Sequence, residues 1–142
     1  MRILVVCEGN ICRSPMGEAL LAQALPGMLV RSAGLGALVG HPADDIALQL
    51  MQERGVDINA HRARQITWPL CMESDLVLVM DIDQRQQVEG LYPQARGRVF
   101  RLAEHLKQDI PDPYRHGELA FRDALALIDS GVANWLQRIR RL

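Results

Sequence analysis

The residues able to do chemistry crowd into one short stretch, CEGNICRSP, residues 7–15, directly after the apolar run ILVV. Cys7 offers a soft sulfur nucleophile, and Arg13 offers a planar, bidentate cation suited to phosphate oxygens. Gly9 and Asn10 tolerate left-handed backbone, which would turn successive amide N–H groups inward as an anion nest. Ser14 is a favoured N-cap and Pro15 a favoured first helical residue, so a helix is expected to begin there. Its unpaired N–H groups and its dipole then favour an anion in the loop, and the same field favours Cys7 as thiolate. The run from Glu8 through Gly9, Asn10, Ile11, Cys12 and Arg13 to Ser14 is therefore expected to cradle a phosphate, with Cys7 aimed at phosphorus.

Spacing excludes the nearest competing chemistries. A Walker loop needs Gly-Lys-Ser/Thr, which does not occur here. A zinc site on Cys7 and Cys12 lacks a second ligand pair at finger spacing, so no metal and no cofactor are expected. GLGALVG at 34–40 has the spacing Gly-x-Gly-x3-Gly and runs into His-Pro, whereas a dinucleotide loop needs its helix directly after the third glycine. That segment is expected to form a flexible pocket wall with Leu35 or Leu38 exposed.

Phosphoryl transfer without a metal gains from a carboxylic acid beside the leaving oxygen. Asp112, held between Pro111 and Pro113 in IPDPY, is a candidate, although a Pro-Asp turn explains it equally well from the residues alone. Asp75, Asp81 and Asp109 read as solvated or structural, and His41, His105 and His116 as surface residues. Cys71, the methionines, Trp68 and Trp135 read as packing.

These groups need a frame. Strand candidates lie at 2–6, 28–32, 75–80 and 98–102, and helix candidates at 15–25, 43–54 and 83–90. A closing helix carries Phe121, Leu125, Ile128, Val132, Trp135 and Ile139 on one face at three- and four-residue steps. Arg138, Arg140 and Arg141 fall in its last turns, where they favour the dipole. Alternating strands and helices imply an α/β fold with a mostly parallel sheet covered on both faces. Ligands of such sheets bind beyond the carboxyl ends of the strands, which is where Cys7 falls.

The 142 residues suit one domain with one core, with no internal repeat or linker. Sixteen basic and 17 acidic residues give a net charge of −1, so there is no electrostatic footprint for nucleic acid or an anionic membrane. No apolar run approaches the ~20 residues of a membrane span, and ILVV is short for a signal peptide. Three cysteines fit a reducing compartment, and a cytoplasmic location is expected.

CEGNICRSP resembles the active-site loop of the low-molecular-weight protein tyrosine phosphatases. The likeness continues in order through RSAGLGALVG (31–40), HRARQI (61–66), LVLVMD (76–81) and PDPY (111–114). It implies a single domain, with a four-stranded parallel sheet flanked by helices on both faces and a phosphate-binding loop after the first strand. It also implies a metal-free reaction through phosphocysteine, with Cys7, Arg13 and Asp112 catalytic. Asn10, Ser14, Ser32 and His61 match the positions of a hydrogen-bond network that supports the loop, and Tyr114 with the 35–40 segment would grip the phenyl ring.

The wall lacks the aromatic residue of many eukaryotic members and is closer to bacterial members associated with capsule or exopolysaccharide export. The implied partner is accordingly a phosphotyrosine protein, an autophosphorylating bacterial tyrosine kinase. Glu8 departs from the family, which usually carries an apolar residue there, and its side chain is expected near the rim as part of the substrate wall. Cys12, five residues from Cys7, is a candidate redox partner for it. Two rivals remain: an arsenate reductase on the same scaffold, which needs a relay of later thiols where only Cys71 follows, and a phosphate-binding or redox-sensing module without turnover.

Overall fold

The computed structural model describes residues 1–141. Its frame is the sheet of β1 (Arg2–Cys7), β2 (Leu29–Gly34), β3 (Leu76–Val79) and β4 (Val99–Arg101), ordered β2-β1-β3-β4 with every pair parallel. β1 is all but continuously buried because both its faces are covered, which is why RILVVC carries no polar alternation. Side chains alternate across it with period two. Ile3, Val5 and Cys7 join Leu76 and Leu78 on one face, while Leu4 and Val6 join Val77 and Val79 on the other.

Among the described residues five α-helices complete the layers: α1 (Arg13–Ala24), α2 (Asp45–Glu53), α3 (Trp68–Met72), α4 (Ile82–Leu91) and α5 (Glu118–Arg140). Met16 and Leu21 of α1, Leu50 and Met51 of α2, and Phe121 and Ile128 of α5 fill the first face. Cys71 of α3 and Val88 of α4 fill the second. All six apolar positions predicted for the face of α5 are buried. At Gly131 a Cβ would stand 2.5 Å from the Leu102 carbonyl oxygen, so only glycine lets α5 approach the end of β4 this closely. The approach brings Trp135 Nε1 to donate to the same carbonyl at 3.0 Å.

Acidic and hydroxyl side chains start α2, α3 and α4. Asp44 accepts from the Ile46 amide, Thr67 from Leu70 and Asp81 from Gln84. Helix α3 escapes a periodicity reading because five residues make barely one turn. Its first residue, Trp68, is 55% exposed rather than packed, which corrects that expectation. Met16, Met51 and Met80 are core residues, but Met1 is exposed. Among the described residues, no helix is long and apolar enough to cross a membrane.

Strand order reverses at β1: the chain leaves it for β2 on one side and returns to β3 on the other. The crevice this creates opens at the carboxyl ends of β1 and β3. Cys7 ends β1, Arg13 opens α1 a few residues later, and the segment after β4 comes back to the same crevice.

Candidate active site

Helix α1 begins one residue before the expected cap. Cys12 holds the N-cap position with no side-chain hydrogen bond, and Ser14 lies inside the first turn. The Ser14 hydroxyl instead meets the Cys7 sulfur, with Oγ 2.9 Å from Sγ. The left-handed residue of the loop is Asn10, at φ 58°, and Gly9 does not adopt that conformation. An asparagine tolerates it because its short side chain bonds locally.

Those bonds organise the loop. Asn10 is fully buried, and its Nδ2 donates to Ser14 Oγ at 2.8 Å and to Ser32 Oγ at 3.0 Å. Its Oδ1 accepts from the Arg64 amide at 2.9 Å. The Asn10 carbonyl can only accept, so His61 Nε2 carries the proton it donates there at 2.7 Å. Asn10, Ser14, Ser32 and His61 are thus brought together in one hydrogen-bonded group. Two participants went unnoticed in the sequence. Glu18 accepts from Ser32 Oγ at 2.6 Å and stands 3.8 Å from His61 Nδ1, and Arg64 supplies the amide just mentioned. Glu18 lies one turn beyond Ser14 on α1, a spacing that could have flagged it.

Arg13 is 2% exposed. Its Nη1 donates to the Ile110 carbonyl at 2.7 Å and lies 3.7 Å from Asp81, and its Nη2 lies 3.7 Å from Asp112 Oδ2. At 3.7 Å these are ion pairs without hydrogen bonds, and among the described residues Arg13 Nε has no partner. Ile110 also donates its amide to the Met80 carbonyl, so the segment leading to Asp112 is fixed to the end of β3. Asp112 itself is half-exposed, its Oδ1 accepting from the Tyr114 amide at 3.1 Å. Asp75, Asp81 and Asp109 are structural, as expected: they accept from the amides of Arg2, Gln84 and Ile82.

One cavity of about 160 Å³ gathers the thiol, the guanidinium and the carboxylate. Cys7, Cys12 and Arg13 lie deep in it, while Glu8, Gly36, Leu38, Asp112 and Tyr114 form its walls. Leu38 is exposed on that wall, but Leu35 turns away and packs on the core beneath α3 and α4, which settles the choice between them. The 34–40 segment is also bonded to the loop it faces rather than hanging free. Leu35, Gly36 and Leu38 donate their amides to the carbonyls of Cys7, Glu8 and Gly9, and Ala37 donates to Gln65 Oε1.

Burial first, then the charges of Asp44, Cys7 and Asp112, push the Cys12 thiol far above its ordinary value, with Arg13 opposing them. Cys71 sits fully buried in the core on the sheet's other face. Among the described residues no three His, Cys, Asp or Glu side chains gather in a way that could hold a metal ion.

A thiol at a strand end, beside a helix-borne guanidinium, defines this as a cysteine-and-arginine site on a doubly wound sheet. The sequence profile described as low molecular weight phosphotyrosine protein phosphatase matches residues 2–142, and the chain belongs to that family. The chain is 54% identical over 140 residues to EpsP of Ralstonia solanacearum, a probable low molecular weight protein-tyrosine-phosphatase, covering 99% of this chain and 97% of the relative. The fold superposes on Vibrio vulnificus Wzb in complex with benzylphosphonate at a TM-score of 0.93, with 41% identity over 96% of this chain and 97% of that one. It also superposes on the YwlE arginine phosphatase of Geobacillus stearothermophilus at 0.92, with 30% identity over 99% and 93%.

Proposed function

We propose that this protein hydrolyses phosphotyrosine through a phosphocysteine intermediate formed on Cys7. The observation that carries this reading is the convergence of Cys7, Arg13 and Asp112 on one cavity. Ser14 Oγ already accepts from Asn10, so its own proton is available to the sulfur, and this hydrogen bond orients Cys7 for attack. The thiolate attacks phosphorus in line. The Arg13 guanidinium and the amides from Glu8 to Ser14 hold the equatorial oxygens and take up their charge. Asp112 gives its proton to the departing tyrosine oxygen. It then removes a proton from the water that cleaves the S–P bond, returning phosphate and the thiolate.

Leu38, Tyr114 and Glu8 form the walls against which the phenyl ring would lie. A flat aromatic ring suits such a slot better than the long, mobile chain of a phosphoarginine. The physiological substrate on this reading is an autophosphorylated bacterial tyrosine kinase of polysaccharide export, and the site of action is the cytoplasm. Against the arsenate-reductase alternative stands the burial of Cys71 in the opposite core, out of reach of a thiol relay. The test is rapid quench with a labelled aryl phosphate. Wild type should carry one phosphate on Cys7, and Cys7→Ser should lose nearly all turnover. Full activity in Cys7→Ser would end the reading.

A further inference from the structure

Glu8 puts a carboxylate on the wall of a cavity built for an anion. It is exposed, and no cation lies within ion-pair distance of it among the described residues. Its placement is set from both ends. Its carbonyl accepts from the Gly36 amide at 2.9 Å, which fixes the backbone against the 34–40 segment. Its Oε1 lies so close to Gly36 that a Cβ there would stand 2.6 Å away. The side chain therefore lies over a glycine at the cavity mouth, without a counter-ion beside it. Across the mouth, Asp112 is a second carboxylate, and Arg115 is stacked over the Tyr114 ring at 5.0 Å. An uncompensated negative charge thus sits on the Glu8 side, where chain flanking a bound phosphotyrosine must pass.

We propose that Glu8 selects substrates by charge, favouring phosphotyrosines flanked by Lys or Arg and disfavouring those flanked by Asp or Glu. The inference rests on the phosphotyrosine reading of the cavity and adds the class of sequence around the phosphotyrosine. A flanking charge ~8–10 Å from the carboxylate, in water, is worth about a two-fold change, so reversing its sign moves the preference about four-fold at low salt. At 1 M salt the screening length falls to ~3 Å and the preference should fade.

The test compares two phosphotyrosine peptides of equal length, one with Lys and Arg neighbours and one with Asp and Glu. Wild type should favour the basic peptide several-fold in kcat/KM at low salt, and Glu8→Gln should cut that ratio at least by half. The same comparison is made by binding alone, with Cys7→Ser against Cys7→Ser/Glu8→Gln, so that the charge preference is read without turnover. An unchanged ratio in the Glu8→Gln proteins, or a salt-independent one, would overturn the inference while leaving the catalytic reading intact. Failure of wild type to hydrolyse either peptide would overturn the catalytic reading. Equal binding of both peptides by Cys7→Ser would overturn the inference on its own.

Discussion

Asn10 is the residue whose removal should be felt furthest. Asn10→Ala deletes three side-chain hydrogen bonds, to Ser14, to Ser32 and from the Arg64 amide. At ~1 kcal/mol net for each, that is ~3 kcal/mol. Alanine must also take up the φ of 58° without asparagine's local bonding, a further ~1 kcal/mol. The sum of ~4 kcal/mol is a large share of the ~5–15 kcal/mol that holds a domain folded. For a chain of this size it should lower Tm by about 13 °C. Asn10→Gly isolates the backbone contribution: it loses the same bonds but accepts positive φ, so it should be ~1 kcal/mol more stable than Asn10→Ala. Urea unfolding of the three proteins measures this, with the midpoint moving and the slope constant. Inorganic phosphate should raise the Tm of wild type more than that of either variant, because the loop that would bind it has lost its support. If Asn10→Ala unfolds within about 1 kcal/mol of wild type, the network is not holding the loop, and if Asn10→Gly is no more stable than Asn10→Ala, the positive φ carries no cost.

Asp112→Asn should slow aryl phosphates with poor leaving groups far more than activated ones. Equal loss across leaving groups would remove Asp112 as the acid. Gly131→Ala should destabilise by ~1–3 kcal/mol in urea unfolding, because its Cβ meets the Leu102 backbone rather than a side chain that can yield. The Cys12 thiol is raised in the folded protein, so its stabilising contribution is intact below the ordinary thiol value of 9.0 and is lost as pH climbs beyond it. Unfolding free energy should therefore fall by up to ~1.4 kcal/mol per pH unit in alkali on account of this thiol, and Cys12→Ser should flatten that slope. After peroxide, a Cys7 sulfenic acid condensing with the Cys12 thiol would release water and leave a disulfide that reductant reopens. Wild type should then regain more activity than Cys12→Ser, and equal recovery would remove Cys12 as the partner.

The sheet was legible because its strands are short apolar runs covered on both faces, and α5 because 23 residues allow several repeats of its buried face. The boundary of α1 was not. Ser14 and Pro15 look like a helix start, but the Ser14 hydroxyl is engaged by Cys7 and Asn10, so tertiary contacts override the local capping preference. Leu35 and Leu38 could not be told apart because the 34–40 segment has no periodicity, and only the folded chain places Leu38 on the cavity wall and packs Leu35 against the core. Cys7 and Arg13 were readable from a contiguous motif, whereas the Ile110 carbonyl that anchors Arg13 is a backbone atom 97 residues away and leaves no mark in the sequence.

That anchor has a consequence for biosynthesis. The thiol strand and the guanidinium helix are made first, but the carbonyl that orients the guanidinium emerges only after nearly a hundred more residues, and α5, which packs against α1, follows later still. At ~5–20 residues per second, the nascent chain spends several seconds with a reactive sulfur and no finished cradle around it. Closing so long a loop is entropically slow, and it is rewarded only when the late segments dock. Activity should accordingly appear in one step at the end of folding, with no half-built form able to turn over substrate.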